Sequence, residues 1–177
     1  MDIGPNKARC VWPAFSITLE RNAMAYKISR TDVALLAVAL EGDKEKVATI
    51  LDEKANVNVE NHEGWTPLIC AAISGKPETI LLLLNAGASI NAQAHDGSTA
   101  LMKACLWGHR QAVATLLIHG ADVAIGDDEG WTALKIAVEK GHHKIAQLLK
   151  AAEAKTKETR PLETSQPFPG FQSDSQN

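Results

Sequence analysis

The sequence predicts an all-α solenoid of four stacked helix-turn-helix units with hairpin-like loops between them. Three related phrases, GWTPL, GSTAL and GWTAL, begin at Gly64, Gly97 and Gly130, and both intervals (97 − 64 and 130 − 97) equal 33 residues. A fixed period of this length is typical of repeat architectures in which each repeat is one supersecondary unit. A second set of glycines keeps the same step and extends the pattern one unit upstream: Gly42, Gly75, Gly108 and Gly141.

The unit that begins at Gly64 shows why each repeat should form an antiparallel pair of helices. Thr66 is placed to cap the first helix, and Pro67 follows at the first helical position, where a missing N–H costs nothing. Gly75 permits the left-handed conformation that ends a helix, and a second helix is expected from residue 77 to about residue 85. One such pair cannot bury both of its apolar faces, so its stability must come from the units stacked against it.

The first and last units depart from the pattern as terminal repeats should. Ahead of the first helix the Gly, Thr and Pro signals are absent, and Thr31 and Asp32 are the expected capping residues. At the other end Lys150 interrupts a column of leucines, which predicts a polar outer face with no further unit on it. The leucines of that column are Leu51, Leu84 and Leu117.

These features together resemble the ankyrin repeat family over about residues 30–153. The period, the Thr at the helix start, the mid-repeat Gly and the paired leucines all recur together. The family's Pro is kept only at Pro67, and Ala124 stands where Asn58 and Asn91 stand, which is expected to weaken local hydrogen bonding but not the fold. The residues that replace the histidine of the family's TPLH phrase are Ile69, Met102 and Lys135.

The pattern divides the chain into three parts. Residues 1–28 are expected to be disordered, and Met24 is an alternative start of translation. Residues 155–177 are expected to form a disordered tail because they contain too few apolar residues to fold alone. The repeat domain is expected at residues 29–154, with units at about residues 31–60, 64–93, 97–126 and 130–153.

Composition and charge exclude several classes of function. A net charge of −3 and the absence of a dense Lys/Arg run give no electrostatic footprint for nucleic acid or an anionic membrane. No apolar stretch reaches the roughly 20 residues needed to span a bilayer. Cys10, Cys70 and Cys105 lack metal-ligand spacing, and the latter two are expected to pack in the core. A reducing, cytoplasmic compartment is therefore expected.

The sequence offers no constellation of residues for catalysis. There is no nucleophile elbow, phosphate loop, HExxH or paired-carboxylate arrangement. His62 and His95 recur at the repeat spacing, but equivalent positions on stacked repeats lie about 10 Å apart, too far for two rings to share one metal. His109, His142 and His143 are expected to cap second helices or to lie at the surface. We expect no cofactor, no metal and no enzyme activity, and a metal-dependent enzyme is the least favoured alternative.

The resemblance implies a non-catalytic scaffold that binds another protein along a concave surface of hairpin tips and first helices. The family's variable surface positions carry over by register to three clusters, one for each of the last three units. They are His62, Glu63, Trp65, Ile73 and Ser74 in the second unit, His95, Asp96, Ser98, Leu106 and Trp107 in the third, and Asp128, Glu129, Trp131, Glu139 and Lys140 in the fourth.

Three of the four tryptophans of the chain fall in this set, which predicts an aromatic groove with an acidic rim. Tryptophan is enriched among interface hot spots, and the acidic tips favour a partner with basic residues beside an apolar anchor. Four units offer a surface some 30 Å long, enough for about 800 Å² per partner. The alternative is that Trp65 and Trp131 pack against a neighbouring hairpin and that Trp107 covers a helix turn.

We therefore expect a monomeric interaction module that acts as an adaptor, or as an inhibitor that masks a surface of its target. The alternative is an effector that is secreted or translocated into another cell, with the tail as its export signal. A short linear motif around Phe168 and Phe171, in the phrase PFPGF, is a further hypothesis.

Overall fold

The computed structural model describes residues 29–158, with side chains described as far as residue 155. The expectations for residues 1–28, Met24, Cys10 and the PFPGF phrase lie outside the described residues. Eight α-helices follow one another in this part of the chain: α1 (Arg30–Glu41), α2 (Lys44–Asp52), α3 (Pro67–Ser74), α4 (Pro77–Asn85), α5 (Ala100–Leu106), α6 (Arg110–Ile118), α7 (Ala133–Glu139) and α8 (His143–Glu158).

The helices form two layers. The first helices of the four units, α1, α3, α5 and α7, pack side by side in an inner layer, and the second helices, α2, α4, α6 and α8, form an outer layer. Single antiparallel bridges, Gln93 with Thr99 and Gly126 with Thr132, produce hairpin-like loops between units. The predicted all-α solenoid of four helical pairs is confirmed. None of the described helices is both long and apolar enough to cross a membrane.

Threonine caps fix the starts of three inner helices. The hydroxyls of Thr66, Thr99 and Thr132 each accept a hydrogen bond from the main-chain N–H three residues later, at an N···O distance of 3.4 Å. Such a cap stabilises a helix by about 1 kcal/mol, because one of the four unpaired N–H groups of the first turn gains an acceptor. The helices start where the sequence predicted them.

The first helix is capped differently from the prediction. Ser29 is the N-cap of α1, and its hydroxyl accepts the Thr31 N–H at 3.3 Å. Asp32 lies inside the first turn, where its carboxylate accepts the Asn56 N–H at 2.7 Å and ties α1 to the loop after α2. The assignment of Thr31 and Asp32 as caps is wrong, because Ser29 provides the same chemistry immediately before the helix.

Small and branched apolar side chains fill the space between units. Leu68 and Leu101 are both 1 % exposed, and Cys70 and Cys105 are fully buried, as expected for core packing. Burial raises the pKa of each of these two thiols to about 12, because a thiolate would lose its hydration. Both cysteines therefore remain protonated near neutral pH.

Asparagines at the end of the first two units connect each of them to the next unit. The Asn58 side chain accepts the Ser89 N–H at 2.7 Å, and Asn91 accepts the Asp122 N–H at 2.9 Å, in each case across the unit boundary. Ala124 occupies the same column in the third unit (91 + 33), and its methyl side chain cannot accept such a bond from the fourth unit. The expected weakening of local hydrogen bonding at Ala124 stays a prediction.

The last outer helix is longer than the others. Helices α4 and α6 have nine residues each and are followed at once by loops that contain Gly87 and Gly120, whereas α8 has 16 residues. Glu153 stands in this glycine column (120 + 33), so the left-handed turn is lost and the helix continues to Glu158. The structure thus differs from the expectation of a disordered tail from residue 155. Lys150 is exposed, in agreement with the predicted polar outer face.

Histidines at the start of the outer helices contact the preceding unit. His109 occupies the N-cap position of α6 without making a capping bond, and its Nε2 lies 2.9 Å from the carbonyl oxygen of Ile73. The ring of His142 fills the space next to Gly108 in the same way. Of the three histidines expected to cap or to lie at the surface, His143 is exposed, whereas His109 and His142 are half-buried.

Equivalent leucines in different units should contribute unequally to stability. Replacing Leu101 by Ala should lower the free energy of unfolding by about 2–5 kcal/mol, because it leaves a cavity between two units. The matched change Leu134→Ala should cost about 1 kcal/mol, since Leu134 is only half-buried at the end of the stack. Urea unfolding followed by circular dichroism measures both values. Equal costs would contradict the described packing of α7.

Candidate functional site

The hairpin tips are held by side chains that the sequence analysis missed. Each tip turns at a glycine with a φ of 74°, a left-handed conformation that other residues adopt only with strain. Asn61 and Asp127 bracket two of these turns, and each accepts the main-chain N–H groups two and four residues later at 2.8–3.1 Å. The second of those N–H groups belongs to Trp65 or to Trp131. Both tryptophans are therefore held at fixed places on their tips.

Neighbouring tips are joined by main-chain hydrogen bonds. The His95 N–H donates to the Glu63 carbonyl oxygen at 3.0 Å, and the Asp128 N–H donates to the Asp96 carbonyl oxygen at 3.2 Å. These four residues were predicted surface positions, and their side chains are exposed. The tips of units two, three and four thus form one continuous edge.

The third tip is stabilised by Asp96 in a different way. Ala94 replaces the bracketing Asn or Asp, and Asp96 instead accepts the Ser98 N–H at 2.9 Å together with the Ser98 hydroxyl. Ser98 is consequently 5 % exposed. Its expected place at the surface is wrong, because its hydroxyl pairs with the neighbouring carboxylate.

Trp65 contacts a lysine from the next unit. The Lys103 Nζ lies 5.5 Å from the centroid of the Trp65 ring and 3.0 Å from Asp96 Oδ2, so one ammonium joins the ring to the carboxylate. Trp65 is half-buried against the core, which agrees with the alternative that it packs between units. Lys103 was not predicted, although its position between Cys70 and Ile136 in an otherwise apolar column was a signal.

The charge of Asp96 is favoured by its surroundings. Partial burial would raise the pKa of this carboxyl, but the hydrogen bonds from Ser98 and Lys103 outweigh that effect and hold the pKa below its usual range. The carboxylate is therefore ionised near neutral pH and already engaged with groups of its own unit.

Leu106 and Trp107 form an exposed apolar pair in the inner layer. They are consecutive at the end of α5, and 37 % and 46 % of their surfaces are exposed. Trp131 is 36 % exposed on the last tip. The packing alternative therefore describes Trp65 better than it describes Trp107 or Trp131.

The predicted partner-binding positions other than Ser98 fall into two groups, half-buried and exposed. Trp65, Ile73 and Ser74 are half-buried, and the Ser74 hydroxyl donates to the Ala71 carbonyl oxygen at 2.9 Å. The exposed positions are His62, Glu63, His95, Asp96, Leu106, Trp107, Asp128, Glu129, Trp131, Glu139 and Lys140.

Acidic charge is concentrated on the last tip. Glu63 lies 3.8 Å from His62, and Asp96 is paired with Lys103. Within the described residues, neither Asp128 nor Glu129 has an ion-pair partner. No group of three or more metal-ligating side chains occurs in the part of the chain whose side chains are described.

Comparison with known families supports the architecture. A family model described as ankyrin repeats (three copies) matches residues 20–94 and 87–160. The chain belongs to the ankyrin repeat family, as the sequence resemblance indicated. Ankyrin repeats are generally protein–protein interaction modules and are typically non-catalytic. A search of curated proteins finds no match.

Two tryptophans of the predicted surface should differ in their effect on folding. Trp65→Ala should lower the free energy of unfolding by about 2 kcal/mol, because the ring packs on the core and on Lys103. Trp107→Ala should change it by about 0.5 kcal/mol or less, since nearly half of this side chain is exposed. Thermal and urea unfolding test both values. A large loss with Trp107→Ala would assign this ring to the core.

Asp96 should contribute to stability only above the pH at which it protonates. Because its folded pKa is lowered, its contribution is present above the unfolded pKa of about 3.9 and is lost as the pH falls through the folded pKa. Asp96→Asn should therefore cost about 1 kcal/mol or less at pH 7, with the difference from the native chain vanishing near pH 2. Urea unfolding across this range measures it. A difference that is independent of pH would contradict the charged pairing.

Proposed function

We propose that this chain is a non-catalytic adaptor or inhibitor that binds one partner protein through its tips and inner helices, the surface that is concave in ankyrin repeat proteins. The observation that carries the proposal is the exposed pair Leu106 and Trp107 at the centre of the array. Tryptophan is enriched among interface hot spots, and two adjacent apolar side chains in water provide a ready anchor for a partner.

The charges around this pair favour a basic partner. The exposed carboxylates of Glu63, Asp128 and Glu129 line the tips above the inner helices. Complementary positive charge on a partner would raise the rate of association and would select against acidic competitors. The partner is proposed to carry an apolar side chain that packs on Trp107, with Lys or Arg beside it.

The module is proposed to act as a monomer in the cytoplasm. Cys70 and Cys105 are buried free thiols, which suits a reducing compartment. The stacked units give a preformed surface whose tips are joined by hydrogen bonds, so little ordering is needed when a partner binds.

A double substitution at the exposed pair tests this proposal. The chain and its Leu106→Ala, Trp107→Ala variant are used for affinity capture from the native lysate, with quantitative mass spectrometry of the bound proteins. The matched control is Ile118→Ala, because Ile118 is 80 % exposed and lies on outer helix α6. A specific partner should be held by the chain and by the control, and released by the double variant.

The captured partner then permits a direct measurement. Calorimetric titration should show a loss of at least about 2 kcal/mol for the double variant, equivalent to roughly 30-fold in affinity. Retention of the same proteins, with unchanged affinity, would refute the role of this surface.

A further inference from the structure

The C-terminal end of the inner layer carries apolar side chains of the kind that neighbouring units bury elsewhere in the array, although no described residue covers this end. Val138 is 55 % exposed, whereas Ala72 and Cys105, the residues two repeats and one repeat earlier, are fully buried. Leu134 is half-buried, and Trp131, three residues earlier, is 36 % exposed. We call Glu129, Gly130, Trp131, Leu134 and Val138 the terminal face.

The main chain of the terminal face also lacks the contacts found between units. A side chain at Gly64 would collide with His95 of the next tip, whereas no described atom lies within 4 Å of the corresponding point at Gly130. The Glu63 carbonyl oxygen accepts an N–H from the next tip at 3.0 Å. The equivalent carbonyl oxygen, that of Glu129, has no donor among the described residues. The last tip therefore has free space next to Gly130 and a free carbonyl oxygen at Glu129, and both could be used by an additional extended segment.

The second unit shows that a tryptophan on a tip can bind a cationic side chain. Trp65 is contacted by Lys103 of the following unit, whose Nζ lies 5.5 Å from the ring centroid. Trp131 stands in the same column (65 + 66), and within the described residues no cation lies over its ring. Asp128 and Glu129 next to it have no ion-pair partner there either. The Lys135 ammonium of this tip donates to the Gly130 carbonyl oxygen at 2.9 Å and pairs with neither carboxylate. The ring and both carboxylates therefore remain available to a cation from another molecule.

We propose that the terminal face binds an extended basic segment of a partner protein. One main-chain N–H of the segment donates to the Glu129 carbonyl oxygen, and a Lys or Arg side chain lies over the Trp131 ring beside the acidic tip. An apolar side chain of the same segment packs on Val138, which is 55 % exposed at the end of α7. This surface is the end of the stack, so the proposal goes beyond binding at Leu106 and Trp107.

Two other occupants are less complementary to the terminal face. Residues 159–177 carry one basic residue, Arg160, and two acidic residues, Glu163 and Asp174, so this segment is not basic. A second copy related by a two-fold axis would bring both acidic tips towards each other. Head-to-tail stacking is disfavoured because no large apolar side chain of residues 29–60 is strongly exposed.

A peptide titration of the full chain tests the proposal. The probes are acetyl-Val-Arg-Val-Arg-Val-amide and its counterpart with Gln in place of Arg. Binding is followed through the assigned ¹H–¹⁵N resonance of Gly130. The Arg peptide should bind saturably and at least tenfold more tightly than the Gln peptide. Trp131→Ala and Val138→Lys should each weaken it at least fivefold, and the matched control Ile118→Ala, on outer helix α6, should leave its affinity unchanged.

Several outcomes would overturn the proposal. Equal affinity for the two peptides, absence of saturable binding, or an unchanged affinity with Trp131→Ala would each do so. Dimerisation in analytical ultracentrifugation that Val138→Lys abolishes would assign the face to a second copy. A shift of the Gly130 resonance on Arg160→Gln would assign it to the C-terminal segment. A loss of peptide binding through Trp107→Ala would place the peptide on the inner helices, whereas failure of partner capture alone leaves this result unaffected.

Discussion

The inability of a single helical pair to bury both of its faces controls the whole molecule. Each inner helix of the array uses small residues such as Ala72 and Cys105 where the next helix must approach closely. Each inner helix packs against the inner helices of the neighbouring units as well as against the outer helix of its own unit. Stability is therefore cooperative along the stack, and a change inside one interface affects two units at once.

Stacking also determines which residues are free to contact other molecules. The tips are joined by main-chain hydrogen bonds, and Lys103 connects Trp65 of one unit with Asp96 of its own. Interactions that hold the array together thus engage part of the surface that a partner would otherwise contact. The surface that remains free differs along the array. Leu106 and Trp107 are exposed in the centre, and Asp128 and Glu129 at the C-terminal tip have no ion-pair partner among the described residues. The two proposed contact surfaces follow from this division.

Much of the fold could be predicted because it depends on local signals repeated in register. Thr66, Pro67 and Gly75 specify a cap, a start and an end by backbone chemistry alone, and all three have the expected roles. The Ser29 cap was missed because three residues in a row, Ser29, Arg30 and Thr31, include two of capping type. Helix α8 is extended because Glu153 occupies a position where the earlier units have glycine, and the spacing of the repeats was sufficient to predict this.

The candidate surface was less predictable than the fold. The repeat spacing gives the position of a residue within its unit, but it does not give the side chains that this residue contacts. Ser98 and Trp65 share a column, yet one is buried against Asp96 and the other is half-buried under a lysine. Both outcomes depend on pairs of residues from different columns, such as Ala94 with Asp96 and Trp65 with Lys103. No single column of the repeat contains that information.

The two buried cysteines have a practical consequence for the study of motion in this protein. Cys70 and Cys105 lie in successive inner helices, and burial raises the pKa of both thiols to about 12. A thiol reagent can modify them only when the adjoining units separate, because the native interface excludes both the reagent and the reactive thiolate. The rates at which a thiol reagent modifies Cys70 and Cys105 therefore report how often each central interface opens.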